Sequence, residues 1–445
     1  MRHILVILPF TFLVHTSFAQ TTTTLSQAIQ SALSNRKNIQ AGKMDITIQQ
    51  LKTKALYKKY GPQVSAEYSY NYNPILQSSI IPVGVFNPAL PADATDRIQF
   101  GTTWAQTAGI TASQPLFDAS IKKQINENRL QEKISGAAQA QTEYELAYEV
   151  AKTYLTIWLQ EEQIKAAILD TVRTGISYQL QQDIYTAGRL LKFELNTASI
   201  NHNNTKQKFM DATLLVVETK IYLLYLTGML EGEFIDFKID TSLFYTNLFP
   251  DDAKITLDSI PIMKQLNLQK ELALIQQQTA RAKYIPVVSL KGFLGANQFS
   301  NDFNPIQSNS WFGYSYIGLN VKLPILLAED RKSETQELLL KSQQYSNQLD
   351  DKSAQFKQES ATAKLELSRT KLQLETQENN IGLYKETVQI LQDRFQEQQI
   401  TASELNRQEN ELQKLEVDYQ NTKANAWLFE IAYLNATGQL TKLWE

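Results

Sequence analysis

The chain of 445 residues contains no cysteine, and two of its three histidines, His3 and His15, lie close to the N-terminus. The first absence excludes disulfides, thiol catalysis, iron–sulfur clusters and cysteine-ligated zinc. The second leaves His202 almost alone, so a Ser-His-Asp triad or a two-histidine metal site has hardly any material. Carboxylate chemistry remains open, yet the acidic residues are dispersed and no run of them converges. The sequence therefore reads as that of a protein that is not an enzyme and that holds no cofactor or metal. A surplus of one charge is also missing: 43 Lys+Arg face 46 Asp+Glu, for a net charge of −3. Without a basic patch to neutralise phosphates, nucleic acid is not an expected partner.

Long apolar runs are lacking as well. No stretch after the N-terminus has the about 18 uninterrupted apolar residues of a transmembrane helix. The one compact apolar run, Ile4 to Val14, follows Met1-Arg2-His3 and precedes Ser17-Phe18-Ala19. A basic start, a short apolar centre and small residues before the cut describe a secretory signal peptide over residues 1–19. The mature protein is expected to be exported. With no cysteine to carry a lipid, membrane attachment would have to come from the fold, and a β-barrel is allowed.

Proline is absent from two long intervals, Leu116 to Phe249 and Ile325 to Glu445. Both are poor in glycine and rich in Gln, Glu, Lys, Leu and Ala, residues that tolerate helix, whereas an internal proline costs a helix roughly 3 kcal/mol. Apolar residues recur there every seventh position: Leu367, Leu374, Ile381, Val388 and Phe395, then Leu405, Leu412, Tyr419, Ala426, Tyr433 and Leu440. That is a coiled-coil seam. It recurs 210 positions earlier as Ile157, Ile164, Thr171, Tyr178 and Tyr185, then Leu195, His202, Phe209, Val216, Leu223 and Leu230. His202 thus occupies a seam position, where a packed histidine outweighs a ligand.

Other landmarks repeat in the same order. Lys59-Tyr60-Gly61-Pro62 matches Lys283-Tyr284-Ile285-Pro286, Pro115-Leu116 matches Pro324-Ile325, and Thr227-Gly228 matches Thr437-Gly438. The chain reads as an internal duplication, residues 20–228 and 255–445, joined by an acidic segment, 229–254. About 15 extra residues in the first copy fall between Pro62 and Pro115, which marks Asn73 to Gly101 as an external loop.

After each helical landmark the period changes to two. Val64, Ala66, Tyr68, Tyr70 and Tyr72 alternate with Gln63, Ser65, Glu67, Ser69 and Asn71; Ile317, Leu319 and Val321 alternate with Asn320 and Lys322. Strands are expected at about 62–73, 103–114, 286–297 and 311–323, and helical hairpins at 118–228 and 328–440. Strands of this length with one apolar and one polar face suit a membrane barrel, although a soluble hairpin would show the same alternation. A continuous helix from Asp118 to about Gln182 would reach roughly 100 Å, more than a globular domain needs. Four strands are half the minimum of a closed membrane barrel, about eight, so a barrel requires several chains.

At this point the chain resembles the TolC-like outer membrane factors, the outer membrane efflux protein family. The resemblance rests on the duplicated order of helix, strands and hairpin, on Ser113-Gln114-Pro115-Leu116-Phe117-Asp118 at a strand-to-helix junction, and on Tyr185-x-x-Gly188 followed by Glu194-Leu195 at a hairpin tip. It implies a mainly α fold with a transmembrane β-barrel, in which a homotrimer shares twelve strands and continues them as an α-helical tunnel. It also implies an outer-membrane location, contact with outer-membrane lipid, and two partners: a periplasmic adaptor (membrane fusion) protein and an inner-membrane transporter. The expected role is the passive exit channel of a tripartite efflux or type I secretion system. The rival is a periplasmic coiled-coil adaptor without a pore, which should have one hairpin between lipoyl-like β-rich halves instead of two hairpins and two strand pairs.

The resemblance assigns adaptor contact to the hairpin tips, Gly188, Arg189 and Leu190 in the first copy and Gln398 and Ile400 in the second, where no glycine stands. A plain helix-hairpin turn is the alternative at both. The family's periplasmic constriction would fall on Glu404, with Asp393 and Arg394 as ion-pair partners and Glu194 at the matching place in copy one. Thr401-x-x-Glu404 also fits a capping box that simply starts a helix. Tyr68, Tyr70, Tyr72 and Trp104 are an aromatic girdle if the barrel exists, and ordinary strand aromatics if it does not. The 229–254 segment would correspond to an equatorial collar or to a solvated linker.

Overall fold

The computed structural model describes residues 22–83, 89, 91, 93–229, 238–240, 256–303, 311–323, 328–397 and 399–444. Residues 1–19, expected as a signal peptide, nearly all of the 229–254 segment and Gln398 lie outside the described residues. In chain order the elements are β1 (Thr22–Thr23), α1 (Leu25–Asn35), α2 (Lys37–Lys58), β2 (Gln63–Tyr72), β3 (Gln77–Ile81), β4 (Asp96–Phe100) and β5 (Trp104–Phe117). They continue as α3 (Ala119–Thr186), α4 (Lys192–Thr227), β6 (Lys238–Ile239), α5 (Pro261–Ala282), β7 (Val287–Ser300), β8 (Trp311–Lys322), α6 (Ala328–Gln396) and α7 (Ala402–Thr437). Short 3₁₀ turns stand at Leu257–Ser259 and Leu440–Leu443. The helices α2 and α5 have 22 residues each, α3 and α6 have 68 and 69, and α4 and α7 have 36 each. No described helix is long and apolar enough to cross a membrane.

The chain divides into two compact units. One comprises Met1–Lys43, Ala137–Lys264 and Leu349–Glu445; the other comprises Met44–Gly136 and Gln265–Gln348. In the first, the apolar residues spaced at helical intervals meet in one core. Trp158, Tyr154, Ile29, Leu155, Ile157, Leu223 and Leu440 are essentially inaccessible, and Trp427, Ile431 and Ala426 pack with them. Each large aliphatic or aromatic side chain so buried stabilises by about 1.5–3 kcal/mol before entropy is set against it. The seventh-residue seams account for much of this interior: Ile157, Val216, Leu223, Leu367, Val388, Leu405, Ala426, Tyr433 and Leu440 are all buried. One clasp in this unit has no sequence signal. The β1 and β6 strands pair in parallel, Thr22 with Lys238 and Thr23 with Ile239. The buried Tyr154 hydroxyl lies 2.6 Å from the Thr23 carbonyl oxygen and accepts from the Asp240 N–H at 2.9 Å.

Helix ends follow their local chemistry. Gly228 and Gly438 close α4 and α7 at φ of 73° and 76°, a left-handed conformation that glycine adopts without strain. Their neighbours complete the reversal: Met229 N–H donates to Leu224 O and Gln439 N–H to Leu434 O. At the start of α1, Thr24 and Gln27 exchange the two bonds of a capping box.

In the second unit the four long strands form one antiparallel sheet in the order β2-β5-β7-β8, leaving β2 and β8 as its edges. The register runs Ala66 to Ile110 to Leu294 to Ser315 across the sheet. Alternation places Val64, Leu294, Ile317, Leu319 and Val321 on one face, each between 64% and 82% exposed. The other face carries Gln63, Ser65, Glu67, Thr111, Lys291 and Asn320, and Thr107 Oγ1 donates to Asn297 Oδ1 across it at 2.9 Å. The β5 strand continues past Ser113 to Phe117; its register shifts between Pro115 and Phe117, next to the proline that cannot donate to the ladder. The segment expected as a plain loop, Asn73 to Gly101, contains a second hairpin, β3 with β4, pairing Gln77 with Phe100 through Ile81 with Asp96.

Candidate functional site at the hairpin tips and the sheet

The first tip is a Schellman turn. α3 ends as Gly188 takes φ 73°, its N–H donates to Tyr185 O at 2.9 Å, and Arg189 N–H reaches back to Ile184 O at 3.1 Å. Open space surrounds Gly188, so only the backbone conformation demands glycine there. Gly188 and Arg189 are exposed, while Leu190 is half-buried. In the second tip the matching long bond is present, from Gln399 N–H to Arg394 O at 2.9 Å, and Ile400 is half-buried.

The two return helices start by complementary halves of one device. At α4 the Glu194 carboxylate accepts from the Leu191 N–H at 3.0 Å; at α7 the Thr401 hydroxyl accepts from the Glu404 N–H at 3.2 Å. Glu194 is therefore engaged in capping, with its negative charge at the positive end of the helix. The Glu404 side chain is exposed, and among the described residues no ion pair joins it to Arg394. Asp393 and Arg394 are both exposed, and Asp393 accepts from Gln389 Nε2 at 3.4 Å within its own helix. The structure thus brings Glu194 and Leu190 to one cavity, without Asp393, Arg394 or Glu404.

That cavity, of about 680 Å³, lies between α3, α4 and α7 next to the tips. Arg173, Ser177, Gln181, Asn201, Asn406 and Arg407 give it a polar wall, with Leu190 and Phe193 at its tip end. Arg173 is held by Asp170 at 2.5 Å. Above it His202 is a packed seam residue: its Nδ1 lies 3.3 Å from Thr174 Oγ1, and its ring stacks on Tyr178 with centroids 6.1 Å apart. Thr174 and Thr205 share a further bond of 2.8 Å. No metal-binding group of His, Cys, Asp and Glu occurs among the described residues.

On the sheet, three of the four expected girdle aromatics cluster. Trp104 stacks on Tyr70 at 5.1 Å and lies against Tyr72 at 4.5 Å, with Phe303 edge-on at 5.0 Å. Tyr68 instead donates its hydroxyl to Gln106 at 2.9 Å. Pattern reading missed Phe303, which lies beyond β7 in a segment without periodicity.

With this geometry established, comparison with known proteins identifies the architecture. The family model described as outer membrane efflux protein matches residues 28–229. Among solved structures, the CusC protein, described in terms of folding and transmembrane channel formation, superposes with a TM-score of 0.73 at 17% identity, covering 95% of each chain. The outer-membrane channel OprN gives 0.71 at 15% identity over 93% of this chain and 90% of its own. The CmeC outer membrane channel of Campylobacter jejuni gives 0.71 at 15% identity over 94% and 86%. No curated protein matches by sequence. The family model thus matches the first copy through its helical hairpin, and the fold of these outer-membrane channels is present over nearly the whole length of the chain.

Proposed function

We propose that this chain is the outer-membrane duct of a tripartite export system, a homotrimer whose members each give four strands to a twelve-stranded barrel and whose hairpins form the tunnel beneath it. One observation carries the reading: a four-stranded sheet with a largely exposed aliphatic face and, among the described residues, two open edges, β2 and β8, which a lone chain cannot satisfy in water or in lipid. Outer-membrane lipid covers that face, and neighbouring copies pair with the edges. The helices support the same reading, because Leu365 and Leu372 on α6, Leu169 and Ile176 on α3, and Met210 and Leu214 on α4 are all more than 60% exposed in the single chain.

In this reading the tips, Gly188-Arg189-Leu190 and Gln398 to Ile400, receive the periplasmic adaptor, which couples the duct to an inner-membrane transporter. The duct performs no covalent chemistry. It opens when the hairpins tilt apart, and solutes or unfolded proteins then move through the polar interior with energy supplied by the transporter, whether of an efflux pump or a type I secretion machine. Glu404, exposed beside the second tip, supplies negative charge to the periplasmic constriction and favours cations. The test is single-channel recording in planar bilayers. The mature protein should give discrete conductances, and Glu404→Ala should raise the leak or lower the preference for cations; a protein that never conducts contradicts the duct, and unchanged behaviour of the variant removes Glu404 from the pore.

A further inference from the structure

The polar face of the sheet is not polar throughout. Phe293, on β7, points to that face and is only 7% exposed. Two glycines make this burial feasible. Gly109 and Gly295 stand directly opposite each other on β5 and β7, and the Phe293 ring fills the space above both: a Cβ at either position would overlap the ring. Two further rings extend the platform. Tyr314 stacks on Phe293 with centroids 4.7 Å apart, and Tyr316 does so at 6.0 Å, with interplanar angles of 28° and 15°. Both tyrosines remain about half exposed.

Charge lies in the same row. Glu67 pairs with Gly109, Gly109 with Gly295, and Gly295 with Tyr314, so the carboxylate and the tyrosine flank the glycine pair across four strands. Glu67 is exposed and makes no ion pair among the described residues, while Lys291 stands on the same face two positions before Phe293. Ring filling of glycine gaps explains Phe293 as a structural element. It does not explain two adjacent, half-exposed tyrosines on a face that also carries Ser65, Thr107, Thr111 and Asn297 and, in the same row at the opposite edge of the sheet, the Glu67 carboxylate.

We propose that Phe293, Tyr314 and Tyr316, with Glu67, form a contact site for ring-bearing organic cations on the inner wall of the barrel. The inference rests on the reading of this face as the lumen. A planar cation lying on the tyrosines gains stacking and cation–π attraction, and the Glu67 carboxylate complements its charge. Three copies would repeat the platform at one depth of the wall, each weak enough to release a passing solute.

Ethidium, a planar aromatic cation, is the probe. Its fluorescence polarisation is titrated with the detergent-solubilised mature protein, and tetrapropylammonium serves as a cation without rings. The wild type should bind ethidium; Tyr314→Leu/Tyr316→Leu should weaken binding about tenfold, and Glu67→Gln about threefold. The ring-retaining pair Tyr314→Phe/Tyr316→Phe should stay close to wild type, and tetrapropylammonium should compete poorly. Equal ethidium affinity in the wild type and the leucine pair, or no binding by the wild type, overturns the proposal. If the leucine pair fails to fold, the phenylalanine pair and Glu67→Gln decide, since loss of binding in the former or none in the latter contradicts a site built from rings and a carboxylate. Bilayer conductance of the same wild-type preparation separates the two readings: a conducting protein without ring-dependent binding loses this site and keeps the duct.

Discussion

Glycine at a helix end and a carboxylate in a helix interface show how much a single residue decides here. Gly188 and Gly438 share the same left-handed backbone, but open space surrounds the first, whereas a Cβ on the second would press on Ser259 and the Thr256 carbonyl. Gly188→Ala should therefore cost about 1 kcal/mol, the backbone term alone, and Gly438→Ala clearly more, about 2–3 kcal/mol, when their thermal unfolding is compared. Glu430, on α7, is pushed by burial from the ordinary 4.5 up to about 7, and its Oε2 is buried without a hydrogen-bond partner. Because the folded pKa is the higher one, the unfolded chain releases this proton first. Stability should then fall as pH rises from about 4.5 to about 7 and level off above. Glu430→Gln should flatten that part of the pH profile and stabilise the protein at pH 8 by about 1 kcal/mol, a value reduced from the full shift because the group keeps some contact with water. An unchanged profile would show that Glu430 titrates normally.

At the scale of elements, the residues with a strong period were legible and those without one were not. Seventh-residue spacing located seam residues such as Leu223, Val388 and Leu405, and alternation located β2 and β8, because each pattern sets apolar residues on one face of its element. The β3–β4 hairpin was hidden: its strands have five residues each, mix Ser, Gln, Asp and Arg with isoleucine, and bury no face. The β1–β6 pair was hidden for a different reason, since two-residue strands joined across more than 200 positions leave no local signal. What holds that pair is Tyr154, so Tyr154→Phe, which keeps the ring and removes only the hydroxyl, should cost about 1–3 kcal/mol. It should also speed amide exchange at Asp240; unaltered exchange would mean the clasp is held by packing alone. The tips were only half legible. Gly188 announced its turn, while the partition of the capping box between Glu194 and Thr401 depends on which side chain finds the free N–H, and the cavity beside them is assembled from three helices far apart in sequence.

At the scale of the whole molecule, the exposed aliphatic sheet face, the unpaired edges β2 and β8 and the surplus apolar stripes on the long helices all describe a surface meant to be covered. Lipid and sister chains cover it in the proposed trimer. The most direct test uses the absence of cysteine, which gives cross-linking a clean background. Single cysteines are placed along β2, at Ser65 or Glu67, and along β8, at Gly318 or Asn320, and combined as pairs in one chain before oxidation in isolated outer membranes. If neighbouring copies close the barrel through these edges, some register should yield a covalent species of three chains, and no larger one, since a closed ring leaves no free edge. Only monomers from every pair, or an open ladder of growing oligomers, would contradict the shared barrel.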